Sequence, residues 1–136
     1  MRYFIALSLA LVSLSSAMAA DSFKLIHVEQ LDQMLKATDA KVQVLDANSA
    51  DTRNLAGVIP GAKLLSSSSK FDVSAELPAD KNTTLVFYCA NTKCTASHDA
   101  AKRATAAGYK NVDVMVDGIQ GWVKAGKPVE KPAAKT

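Results

Sequence analysis

Apolar positions along the chain change period several times, and each change predicts a new element. Val28, Leu31 and Leu35 recur at helical spacing with Met34 beside them, which predicts an amphipathic helix over Val28 to Lys36. Val42 to Leu45 is a short β-branched run, hence a strand, and Asp46-Ala47-Asn48 leaves it for a turn. Ile59-Pro60-Gly61-Ala62 is a turn and Lys63 to Leu65 a brief strand. Ser66 to Ser69 is a polar connection, and Phe71 to Leu77 is a short helix or loop.

The second half carries longer runs. Thr83 to Tyr88 is continuous β-branched and aromatic, the mark of a strand covered on both faces in a parallel sheet. A polar loop, Cys89 to Thr95, leads into an alanine-rich helix over Ala96 to Ala107, closed by Gly108 where a left-handed cap is wanted. Val112 to Val116 is another buried strand. Asp117-Gly118 then turns the chain into a short helix over Ile119 to Ala125, which carries Trp122 and stops at Gly126 and Pro128. Strand and helix alternating in this way predict an α/β layered domain with a mainly parallel sheet.

The N-terminus departs from this pattern. Arg2, the apolar run from Tyr3 to Leu14 and the small-x-small triplet Ala17-Met18-Ala19 predict a cleaved signal peptide over residues 1–19. The apolar run falls short of the roughly 20 residues of a membrane-spanning helix, although an uncleaved anchor is the competing reading. No cysteine stands at the cleavage point to take a lipid. The expectation is a periplasmic or secreted chain, with no membrane attachment after cleavage, whose domain occupies residues 20–127. The Pro-, Ala- and Lys-rich stretch from Lys127 is expected to fray, leaving 128–136 as a flexible tail.

Loss of Arg2 lowers Lys+Arg from 16 to 15 against 13 Asp+Glu, so the formal charge moves from +3 to +2. The lysines are scattered (Lys24, Lys36, Lys63, Lys81, Lys110), which gives no electrostatic footprint for nucleic acid. The 2 cysteines, Cys89 and Cys94, close a loop too small to constrain the unfolded chain much, so chemistry accounts for the pair better than stapling does.

In a parallel sheet, ligands sit beyond the carboxyl ends of the strands, and Cys89 stands at such an end. The loop behind it feeds a helix N-terminus, whose unpaired amides and dipole favour a thiolate, the reactive form of cysteine. A buried, inert cysteine at a strand end fits the same position equally well.

The segments Thr84 to Cys89, Gly108-Tyr109-Lys110-Asn111-Val112 and Val116-Asp117-Gly118-Ile119-Gln120-Gly121-Trp122 resemble, in order, the C-terminal half of a rhodanese (sulfurtransferase) domain. Val44-Leu45-Asp46 and Gly57-Val58-Ile59-Pro60-Gly61-Ala62 are similar to its N-terminal half. The resemblance implies a three-layer α/β/α domain with a mainly parallel five-stranded sheet. It also implies that Cys89 is the sulfur-carrying residue, and that Ala90, Asn91, Thr92, Lys93 and Thr95 form the loop that holds an anion or persulfide. Asp46 supports the strand end, Ser97 takes the place of the family's loop serine, and no cofactor is needed.

The sequence departs from the family pattern at Asn48, where Asp-x-Arg usually ends, at Val58 in place of histidine, and at Asp117 in place of glycine. The loop arginine is also missing: its slot holds Cys94, or Ala96 if Ser97 is aligned with the family serine. Phosphatases of this fold require Cys-x5-Arg, and the sixth residue here is Thr95, which argues against that activity. Lys93 is the loop's one cation, a weak substitute for a guanidinium fork on a large oxyanion. The expected partners are therefore a small sulfur donor and a persulfide or thiol acceptor, which includes a protein thiol. Cys94 is a candidate resolving thiol. The alternative is a non-catalytic module that binds a protein through this loop, with Cys89 and Cys94 locked as a disulfide.

Among the remaining polar residues, His98 together with Cys89 and Cys94 makes only three ligands, a poor zinc site. Asp99 favours the helix N-terminus. Trp122 fills core, and Arg53, although it could reach over the site, is expected to be solvated.

Overall fold

The computed structural model describes residues 23–133, and the proposed signal segment lies outside them. Five strands and five helices alternate: β1 Lys24–Ile26, α1 Val28–Lys36, β2 Val42–Asp46, α2 Ala50–Ala56, β3 Lys63–Leu64, α3 Val73–Glu76, β4 Thr84–Tyr88, α4 Ala96–Ala106, β5 Val112–Met115 and α5 Gly118–Lys124. The strands form one sheet in the order β1-β5-β4-β2-β3, and every pairing is parallel. Among the described residues no helix is long and apolar enough to cross a membrane.

Burial explains the layering. Leu85 and Phe87 face one side of β4 with Leu45, Phe71 and the small face of α4 (Ala100, Ala101, Ala104). Val86 and Tyr88 face the other, with Val28 and Leu31 of α1 and Ile119 and Trp122 of α5. Alternate residues of one strand thus fill two cores, which is why β4 shows no polar alternation. The alanines of α4 let that helix sit close against the sheet.

Two elements went unanticipated. β1 is three residues long and buries only Ile26, too little for a periodic signal. α2 buries no residue and leaves Leu55 90% exposed, so it has no apolar stripe. What defines α2 is its ends: the Ser49 hydroxyl accepts the Thr52 N–H, and Gly57 follows with φ +84°.

The C-terminal segment also differs from expectation. Instead of fraying from Lys127, it returns to the domain: Val58 and Glu130 exchange backbone hydrogen bonds of 2.8 and 2.9 Å, and Trp122 Nε1 donates to the Pro128 carbonyl. Val58 is consequently buried beneath this segment.

Candidate active site at the end of the central strand

β4 lies in the middle of the sheet, flanked by β2 and β5, so the residue after it is held from both sides. Asp46 is in register with Tyr88, and the Ala47 N–H donates to the Tyr88 carbonyl at 2.9 Å, which brings Cys89 directly to the end of the ladder. Cys89 is 2% exposed and belongs to the core on the α4 side.

The loop beyond it turns on Asn91. The Asn91 side-chain carbonyl accepts the Lys93 N–H at 3.0 Å, and its backbone carbonyl accepts the Cys94 N–H at 3.1 Å. Asparagine in this role imitates a backbone turn. The reversal carries Cys94 back to Cys89, and the two are joined as a disulfide with Cα atoms 6.3 Å apart. Thr92 and Lys93 are left exposed at the tip.

α4 begins just past Cys94. Thr95 occupies the cap position without a side-chain cap bond, and the Asp99 N–H is bonded to the Thr95 carbonyl. The amides of Ala96, Ser97 and His98 have no partner one turn earlier in the helix, so the positive end of the helix dipole is directed at the cysteine pair. Asp99 stands in the first turn, as expected. Ser97 is 2% exposed, and its hydroxyl lies 3.3 Å from the Cys89 sulfur.

The near side of the loop is clamped by α5. The Ile119 N–H donates to the Cys89 carbonyl at 2.8 Å and the Gln120 N–H to the Ala90 carbonyl at 3.0 Å. Gly118, at φ +65°, makes this approach possible, because a Cβ there would lie 2.5 Å from the Ala90 carbonyl carbon and the Asn91 nitrogen. Asp117, where the family more often has glycine, accepts the Val28 N–H at 3.0 Å and contacts His27 Nδ1 at 3.1 Å. It therefore fastens the start of α1 to the end of β5.

Asp46 is fully buried and accepts more than the loop amide the sequence suggested. Its carboxylate takes the Asn48 N–H at 2.7 Å, the Tyr88 hydroxyl at 2.6 Å and Arg53 Nε at 3.1 Å. Arg53 corrects the sequence expectation: it is not solvated but 11% exposed, with Nη2 donating to the carbonyls of Asp46 and Leu65. A guanidinium fork can satisfy a carboxylate and the end of a strand together, and lysine could not. Burial, then the Asp46 carboxylate, pushes the Tyr88 hydroxyl far above its ordinary range, so it stays protonated and donates to Asp46 while accepting the Ile59 N–H at 3.1 Å. The network underlies the strand ends beneath the site without touching the sulfurs. Sequence spacing offered no hint of it, since its partners are up to 42 residues apart.

His98 turns its ring toward Phe23, with centroids 5.7 Å apart. Among the described residues no group of three His, Cys, Asp or Glu side chains is placed to hold a metal ion. A shallow depression of about 280 Å³ adjoins the loop, lined by Asn91, Thr92, Asp117, Gln120, Gly121 and Lys124. A larger one, about 510 Å³, is bordered by Lys81 and Tyr109 at the opposite ends of β4 and β5 and has no part in the cysteine site.

The fold and site thus define an α/β domain with a parallel sheet whose central strand ends in a cysteine beside the first turn of the next helix. Residues 27–125 match the model of the rhodanese-like domain, and the chain belongs to that family. Among solved structures it is similar to thiosulfate sulfurtransferase from Pseudomonas aeruginosa, at 25% identity and a TM-score of 0.67 over 83% of this chain and 21% of that one. It shares its fold with the polysulfide-sulfur transferase homodimer from Wolinella succinogenes, at 17% identity and a TM-score of 0.67, covering 82% of this chain and 81% of that one. A Bacillus halodurans protein has the same fold at 22% identity and a TM-score of 0.69, covering 81% of this chain and 77% of that one. A search of curated protein sequences found no significant match.

Proposed function

We propose that the protein transfers sulfur through Cys89, with Cys94 as the resolving thiol, in the periplasm or outside the cell after removal of residues 1–19. The observation that carries the reading is the Cys89–Cys94 disulfide between the end of β4 and the uncapped start of α4, with the Ser97 hydroxyl 3.3 Å from the Cys89 sulfur. Helix-end amides and a hydroxyl stabilise negative charge on sulfur, whether thiolate or persulfide. Similarity to a thiosulfate sulfurtransferase supports sulfur transfer as the reaction class.

In the reduced protein, the Cys89 thiolate attacks the outer sulfur of a donor persulfide, forms Cys89–S–SH and releases the donor thiol. The Cys94 thiolate then attacks the inner sulfur of Cys89 and hydrosulfide leaves. The two thiols are oxidised to the disulfide while the sulfane sulfur is reduced to sulfide, so the electrons balance. Lys93, exposed at the loop tip, is the loop's one cation, which favours a donor without a large oxyanion over thiosulfate.

A second reading, a partner-binding module with a permanent disulfide, draws on the 2% exposure of Cys89. Mass spectrometry separates the two. The mature protein is reduced, exposed to thiosulfate or a small persulfide, and its modified peptide located. One added sulfur on Cys89, or donor consumption ending in the Cys89–Cys94 disulfide, supports transfer. No adduct, with a disulfide that resists mild reductant, supports the binding module.

A further inference from the structure

The two sulfurs of the disulfide are not equivalent to an incoming thiol. Thiol–disulfide exchange proceeds with the three sulfurs near a line, so the attacking thiolate approaches one sulfur from the side opposite the other. Cys89 is 2% exposed and packed in the core cluster that includes Phe87, Ala100 and Ala101, and its backbone is held by the N-terminus of α5. An attacker aimed at its sulfur finds almost no exposed surface there. Cys94 packs against the edge of the same cluster but is partly exposed, and it follows the exposed tip residues Thr92 and Lys93.

The leaving sulfur is unequal too. A thiolate expelled at Cys89 has the Ser97 hydroxyl at 3.3 Å, and Ser97 stands in the first turn of α4, at the positive end of the helix dipole. Exchange is faster when the departing thiolate is the better stabilised one.

We propose that the resting disulfide is opened at Cys94. An external thiolate attacks the Cys94 sulfur, the Cys89–Cys94 bond breaks, and Cys89 leaves as the thiolate ready to accept sulfur. A second external thiol then attacks the mixed disulfide, leaving the Cys94 thiol and an external disulfide. Two external thiols are oxidised as the protein disulfide is reduced. Cys94 is thus the entry point for reducing equivalents as well as the resolving residue. This inference rests on the reading of Cys89 as the sulfur carrier.

The sequence supplies a direct test, because Lys93 lies between the cysteines and trypsin separates them into peptides 82–93 and 94–102. The oxidised protein is mixed briefly with glutathione, or with a thioredoxin-type protein whose own resolving cysteine is replaced by serine. The reaction is then quenched with acid and alkylated before digestion. The expected result is an adduct on Cys94 in at least about tenfold excess over Cys89. Which of the two probes yields it identifies a small thiol or a protein as the source.

Ser97→Ala should slow the opening by about fivefold, the effect of losing one hydrogen bond to the departing thiolate. An adduct chiefly on Cys89, equal labelling of both cysteines, or no adduct with either probe overturns the inference. The readout uses no sulfur donor, so it can fail while sulfur transfer to reduced Cys89 stands, and the reverse.

Discussion

Replacing Arg53 with alanine tests the buried network under the site. The guanidinium donates to the Asp46 carboxylate at 3.1 Å and to the carbonyls of Asp46 and Leu65 at 2.8 and 3.0 Å. Without it the Asp46 carboxylate, at 0% exposure, keeps only the Asn48 N–H and the Tyr88 hydroxyl. Removing one partner of a buried ion pair costs about 3–5 kcal/mol, because the other charge stays buried. The Arg53 side chain is 11% exposed, so water can enter the space it leaves, and the low end, about 3 kcal/mol, is the better figure. For a domain of this size that corresponds to a fall in Tm of roughly 12 °C, at about 4 °C per kcal/mol. Urea and thermal unfolding of the oxidised protein, followed by far-ultraviolet circular dichroism, measure it. Arg53→Lys should recover less than half, since one ammonium cannot reach a carboxylate and two carbonyls together. A loss below about 0.5 kcal/mol, the usual effect of a surface substitution, would refute the buried placement of Arg53.

Two further outcomes follow from the same structure. Gly118→Ala places a Cβ 2.5 Å from the Ala90 and Asn91 backbone at a positive φ, so it should destabilise by about 3 kcal/mol or more and speed reduction of the Cys89–Cys94 bond, read by denaturant unfolding and by the rate of alkylation in dithiothreitol. Burial raises the Asp113 carboxyl above its ordinary range, with Lys24 opposing weakly, so the folded state holds that proton more tightly than the unfolded one. Stability from this group therefore falls as pH rises through the raised pKa. Asp113→Asn should flatten that part of the stability profile, read by urea unfolding across the acidic pH range; an unchanged profile would contradict the partly buried placement.

Much of the architecture was legible because β4, α4, β5 and α5 carry it in local pattern: an unbroken apolar strand, a cysteine at its end, an alanine-faced helix and a glycine turn. The elements that escaped are those whose stability comes from elsewhere in the chain. β1 exists because Lys24, Leu25 and Ile26 find β5, and α2 is held by its ends and by Arg53 rather than by an apolar face. Arg53 looked like a solvated residue because the carbonyl that captures it, Leu65, lies on the far side of a turn. Asp117, read from sequence as a turn residue and a departure from the family, fastens α1 through Val28. Of the site, the cysteine pair and Ser97 were visible by position, whereas the Asn91 turn that brings Cys94 back to Cys89 is a matter of side-chain geometry.

The clamp of Gly118, Ile119 and Gln120 on Cys89 and Ala90 holds the near root of the loop through backbone alone. None of these contacts runs through a sulfur, so the position of Cys89 at the end of β4 does not depend on its bond to Cys94. The strand end is thus built by the sheet and α5, and the disulfide is an addition to it rather than its support.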